Sequence, residues 1–191
     1  MRPLEEVKIS LDMLRANPNF PWDWKEISTQ EDNRCIEFID EFKDKPLNWE
    51  TLSWTMDFFD LITRPTYPWD WSRASYGIGQ HRLLSAYNDP EIREFIDWHG
   101  VSRSEHIGEK FIIAHPELPW DPDSLLDNAN LSLEYYATMP NKPDDMVEYL
   151  WENHYSIFDL DDNAKREWND FVFRVTGEHQ FMISVPDETM L

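Results

Sequence analysis

Three short strings in this 191-residue chain set tryptophan beside carboxylate closely enough to suggest a binding site. They are Pro21-Trp22-Asp23-Trp24, Pro68-Trp69-Asp70-Trp71 and Pro119-Trp120-Asp121-Pro122. Indole faces beside a carboxylate could cage a cation, and a row of them could stack on nucleobases. A stacking ladder also needs a cationic groove. The chain offers 17 Lys and Arg against 38 Asp and Glu, a formal charge of −21. That balance repels nucleic acid and anionic membrane and draws basic partners.

Other residues with chemical potential do not assemble into a recognisable set. The six histidines, His81, His99, His106, His115, His154 and His179, include no pair three or four apart, the spacing that places two ligands on one helical face. Cys35 has no partner ligand nearby and falls on the apolar side of a predicted helix, where thiols are inert. Asp159, Asp161, Asp162 and Asn163 supply alternating oxygens like the start of a calcium loop, but the required glycine and closing glutamate are missing. Gly77-Ile78-Gly79 follows no strand and precedes no Gly-Lys-Ser/Thr, so it reads as a relaxed turn rather than a phosphate loop. Neither a nucleophile–base set nor a carboxylate pair stands out. The expectation is a non-enzyme without metal or cofactor.

The tryptophan strings make better sense as a repeat. With Trp24 as the phase mark, related heptads recur at Trp49, Trp71, Trp98, Pro122, Met146 and Trp168, separated by 25, 22, 27, 24, 24 and 22 residues. A period near 24 is the signature of stacked supersecondary units. In this register Asp23, Asn48, Asp70, Asp97, Asp121 and Asp145 are helix N-caps, and Glu26 and Glu148 sit where a capping box wants glutamate. Trp22 with Ile27, Leu47 with Leu52, Trp69 with Ala74, Ile96 with Val101 and Trp120 with Leu125 form hydrophobic staples. Pro122 replaces a tryptophan at the first helical position, where proline is welcome. The repeat anchors are therefore Trp22, Asp23, Trp24, Trp49, Trp69, Asp70, Trp71, Trp98, Trp120, Asp121 and Pro122, and packing is the role their fixed register implies.

Each unit needs a second helix. Apolar runs predict these at 36–42, 56–62, 81–87, 107–114, 133–139 and 157–160, with Asp32, Thr55, Ser104, Ser132 and Ser156 as caps for several. The 27-residue gap is expected to be absorbed at Gly77–Gly79. Leu4, Val7, Leu11 and Leu14 give residues 1–16 an amphipathic helical stripe. Residues 168–175 suit a last helix closed by Gly177, although Phe171 to Val175 also alternates as a short hairpin strand would; the phase favours helix. The expected fold is all-α: a short right-handed solenoid of about seven two-helix repeats of ~24 residues. Residues 1–16 form its N-terminal capping helix, 17–176 the array and 177–191 a C-terminal tail.

The unit Asn-Pro-x-x-Pro-Trp-Asp-Trp-x-x-Ile/Leu-Ser resembles the tandem Pro-Trp-Asp-Trp repeats of giant and other large DNA viruses. The likeness spans about residues 17–160 and is sharpest at 17–28 and 65–75. It implies a viral repeat protein, and it carries no catalytic residue to this chain. Leu47-Asn48 for Trp-Asp and Met146 for Trp are the departures, both conservative for packing.

A lone cysteine suits a reducing compartment, and the N-terminus has no apolar signal core, so the chain is expected in the host cytoplasm or viral factory, or in the virion, and not secreted. Residues 117–191 hold 17 acids against Lys142, Lys165, Arg166 and Arg174. The leading expectation is an interaction or scaffold protein docking a basic protein partner, with Asp144, Asp145, Asp159, Asp161 and Asp162 as candidate contacts. A minor capsid or virion component and an acidic mimic of nucleic acid are the alternatives. No direct contact with nucleic acid or membrane is expected, and the sequence leaves the oligomeric state open.

Overall fold

Five helices open in the same way. A side-chain oxygen of Asp23 accepts from the Glu26 amide, Asn48 from Thr51, Asp70 from Arg73, Asp97 from Gly100 and Asp121 from Ser124, all at 2.9–3.1 Å. Each bond satisfies an amide of the first turn that has no partner inside its helix.

The structure, a computed structural model, describes residues 8–153 and 161–177, and among them every regular element is helical. In chain order these are α1 (Leu11–Ala16), α2 (Trp24–Thr29), α3 (Ile36–Phe42), α4 (Trp49–Thr55), α5 (Phe58–Leu61), α6 (Trp71–Tyr76), α7 (Gln80–Asn88), α8 (Pro90–Arg93), α9 (Trp98–Ser102), α10 (Glu109–Ala114), α11 (Pro122–Leu125), α12 (Leu133–Thr138), α13 (Met146–Asn153) and α14 (Asp162–Thr176). A 3-10 turn at Glu31–Asn33 precedes α3. Helices α2, α4, α6, α9, α11 and α13 start on six of the seven phase positions. Consecutive members of this set are neighbours from α2 through α4, α6 and α9 to α11.

Several local expectations need correction. Among the described residues the first helix begins at Leu11, where Ser10 caps it by accepting from Met13, so residues 8–10 are not helical as expected for 1–16. Ile9 is instead held by the side chains of Gln30 and Asn33; Leu4 and Val7 lie outside the described residues. Thr55 does not cap α5. It ends α4, with its hydroxyl on the Thr51 carbonyl, and Asp57 takes the capping role. Ser104 is likewise no cap: α10 starts five residues after it, behind Gly108, while the buried Ser104 hydroxyl donates to the Tyr76 carbonyl. Asp32 falls in the 3-10 turn, and Cys35 stands at the start of α3. Ser132 does cap α12, accepting from Tyr135 at 3.1 Å.

The long third gap is filled by α8, which opens on Pro90 behind the Asp89 side chain, and not by a lengthened turn at Gly77–Gly79. Trp168 is no helix start. It is a buried interior residue of the 15-residue α14, which closes at Gly177 in the left-handed conformation (φ 76°). The predicted helix at 157–160, its cap Ser156 and the tail beyond Gly177 lie outside the described residues.

A row of buried serines links the neighbouring helices. Ser28 Oγ accepts from the Asn48 amide, Ser53 from Asp70, Ser75 from Asp97 and Ser102 from Asp121, at 2.8–2.9 Å. Each serine is fully buried and follows the apolar residue at the fourth helical position: Ile27, Leu52, Ala74 or Val101. Each accepts the one amide that a capping-box glutamate would otherwise take. Glutamate occupies that box position only at Glu26, in the first unit, and at Glu148, where Leu126 stands in place of the preceding serine. The serine bond thus recurs at four successive units, from Asn48 to Asp121.

Candidate functional site

The tryptophans of the repeated strings face one another. Trp49 meets Trp69 edge-to-face at 5.1 Å, and Trp98 meets Trp120 in the same way at 5.4 Å. Trp71 lies against Phe95 and Trp24 against Phe42, at 4.9 and 5.0 Å. Trp22, Trp69 and Trp120 also donate their indole N–H to the carbonyls of Asn17, Arg64 and His115, at 2.8–2.9 Å. These bonds tie the residue before each cap to the end of the preceding helix, closing the Pro-rich corner. With their rings set against one another and against phenylalanines, the indoles pack between helices.

Three arginines are also engaged. Arg64 grips the Asp40 carboxylate, which accepts from Tyr67 as well, and Arg82 grips Asp57 in a forked pair. Arg73 reaches Glu50 at 2.5 Å. Each pair joins residues 23–25 apart, about one sequence period. Asp40 and Asp57 sit below their ordinary pKa, mainly because of hydrogen bonds from Arg64 and Arg82, with burial opposing. Exposed pairs of this kind add little stability.

Among the described residues the histidines stay dispersed, and His154 and His179 lie outside them. His99 Nδ1 lies 3.0 Å from Asp121 and 3.2 Å from Ser124, one unit on, and His115 Nδ1 lies 3.1 Å from Glu117. Burial pushes Asp121 up, but hydrogen bonds from Ser124 and the nearby His99 outweigh it and leave its pKa below the ordinary value. Among the described residues no three His, Cys, Asp or Glu side chains are placed to hold a metal ion, and no helix is long and apolar enough to cross a membrane.

The surface differs from the rest around α11. Pro122 and Leu125, three residues apart on one face of this single turn, line an apolar groove of about 380 Å³. Its other walls include Ile113, Leu118, Trp120, Tyr135 and Met139. Asp123 on α11 and Asp127, two residues past its end, join Asp145 in lining an acidic cleft of about 350 Å³. Ser124, Leu126 and Tyr149 complete that cleft, and its lining holds no Lys or Arg. The Tyr149 hydroxyl donates to Asp127, and that bond, with burial, raises the phenol to about 12.

Of the predicted acidic contacts, only Asp145 belongs to this cleft. Asp144 is exposed nearby in sequence, and Asp161 caps α14 by accepting from Ala164 at 2.8 Å. Asp162 is the first residue of that helix, and Asp159 lies outside the described residues. Asp123 and Asp127 were missed. A carboxylate pair spaced i, i+4 just behind a helix-starting proline was the available signal. Comparisons of the chain with known families, with curated proteins and with solved structures each return no match.

Proposed function

We propose that this chain is a helical-repeat scaffold without catalytic activity, which docks a basic segment of another protein on its acidic surface. In this reading α1 caps a solenoid of six phase-aligned units that α14 closes. Its support is the serine row, which repeats one bond between successive units, and the ion pairs spaced at one repeat. Stacked units present extended surfaces, a form suited to binding protein segments. The resemblance to repeats of large DNA viruses puts the proposed partner in an infected cell.

The single observation that carries the function is the cleft of Asp123, Asp127 and Asp145, whose lining offers carboxylates and no cation of its own. Such a cleft attracts Lys or Arg and repels acid. The test measures binding of Lys/Arg-rich and Asp/Glu-rich peptides as salt rises from about 50 to 500 mM, a range over which the Debye length shrinks severalfold. Selective binding of the basic peptides that weakens with salt is expected. Equal binding of both classes, or binding indifferent to salt, would sink the reading.

A further inference from the structure

The apolar groove and the acidic cleft share one wall, the single turn of α11, and that arrangement narrows the partner. We infer that the two form one bipartite site for a segment carrying a large apolar side chain next to Lys or Arg. The apolar residue would seat in the groove beside Trp120 and Ile113, and the cation would cross α11 to Asp123, Asp127 and Asp145. This inference rests on the basic-partner reading above and adds to it a place and an anchor.

Three observations support the joint use. The groove is open rather than filled: Ile113 on its rim is 59% exposed, a large apolar side chain left in water. Its volume of about 380 Å³ lies in the range that encloses a compact ligand or an anchoring side chain. The cleft behind α11 supplies the opposite charge to a basic segment, so burial of an apolar anchor and charge pairing act on the same short peptide. An apolar anchor in a pocket with charges at its edge is the pattern that concentrates binding energy and sets specificity.

Charge also argues against the competing occupants. A second copy of this chain would bring another strongly acidic surface against the cleft, given the formal −21. Residues 178–191 contain Phe181, Met182 and Ile183 but also Glu178, Asp187 and Glu188 and no Lys or Arg, so they complement the groove and not the cleft.

The test uses the full chain and three labelled decapeptides: one combining Arg and Leu, one combining Arg and Ser, and one combining Leu and Ser. The Arg/Leu peptide is expected to bind at least about tenfold tighter than either of the others. The D123N/D127N/D145N variant should weaken it about tenfold, as should Ile113→Asp, which alters an exposed rim residue and leaves the core intact. E31Q/E91Q/E94Q removes as much charge elsewhere and should leave binding within about twofold. If basic peptides bind but all variants bind them equally, the site is overturned while the basic-partner reading stands. If no basic peptide binds at low salt, both fall. Self-association of the wild type that Ile113→Asp abolishes would assign the groove to a second copy. Nuclear Overhauser contacts between Ile113 and Ile183 in the free chain would assign it to the tail. Either result overturns the inference.

Discussion

The hydroxyl of Ser53 accepts the backbone N–H of Asp70 at 2.9 Å while donating to the Trp49 carbonyl at 2.7 Å. One buried side chain thus joins the helix it belongs to with the start of the next unit. Its acceptor lone pair reaches the cap residue from outside, and the cap residue's own carboxylate completes the first turn from within. Ser28 repeats the pattern with Asn48 and the Lys25 carbonyl, at 2.8 and 2.9 Å.

Replacing Ser53 by alanine leaves the partly buried Asp70 amide without its acceptor. The expected loss is about 1–3 kcal/mol, the desolvation cost of an unsatisfied polar group rather than the smaller net value of a hydrogen bond. Urea denaturation of Ser53→Ala against the exposed control Ser85→Ala checks it. Equal stability of the two variants would show that the amide finds another partner.

Gly100 packs its backbone against α6. A Cβ added there would stand 1.9 Å from the Ser72 carbonyl oxygen, so α6 and α9 would have to separate. Gly100→Ala should cost about 3 kcal/mol, the upper end for an overpacked core. Gly77→Ala, whose new methyl group meets nothing closer than 3.5 Å, should stay within about 0.5 kcal/mol. Thermal melts of the two variants provide the comparison.

Asn128 is buried, and its amide nitrogen donates to the carbonyls of Ser102, Ser104 and Ile107, at 3.0, 3.1 and 3.2 Å. Asn128→Asp would aim a carboxylate at three acceptors, with an expected cost of about 3 kcal/mol near pH 7. Such a carboxyl has its folded pKa raised, so the penalty grows as pH rises above its unfolded value and relaxes on acidification, when the protonated acid can donate. Denaturation of the variant at pH 7 and near pH 4 should show the gap to wild type narrowing at the lower pH. A constant gap would mean that the charge is not the cause.

Asp57 behaves in the opposite sense. Arg82 holds its pKa below the ordinary 3.8, so the pair adds stability at all pH values above the unfolded value and loses it as pH falls through the folded one. Asp57→Asn keeps an acceptor for the Phe59 amide and removes the charge. Wild type should exceed this variant by less than about 1 kcal/mol at pH 6, because both partners are nearly half exposed, and the difference should vanish by about pH 2. A difference that persists at that acidity would point to geometry rather than charge.

Local signals explain how far the chain can be read without coordinates. Cap residues and staples act within five positions of one another, so the starts of α2, α4, α6, α9, α11 and α13 follow from the strings around Trp24, Trp49, Trp71, Trp98, Pro122 and Met146. The second helices were less legible, because Thr55 and Ser104 are capable caps whose hydroxyls go elsewhere, Thr55 to the Thr51 carbonyl of its own helix and Ser104 to the distant Tyr76 carbonyl. Trp168 carried the phase in sequence and lost it in space, where α14 runs through it as one helix.

What the sequence determined by itself was the all-helical character, the 24-residue rhythm and the capping of its units, since each depends on neighbours along the chain. Tertiary structure alone decided what joins one unit to the next. The recurring serines were visible, but their acceptor role depends on an amide 17–22 residues away. It also decided where acid and apolar surface meet. Asp123 and Asp127 line a common cleft only because Asp145, just before α13, lies alongside, and the groove exists only because α10, α11 and α12 leave Trp120 and Ile113 an open side. Local capping needs only a few consecutive residues, whereas a shared wall between two cavities needs several helices packed together.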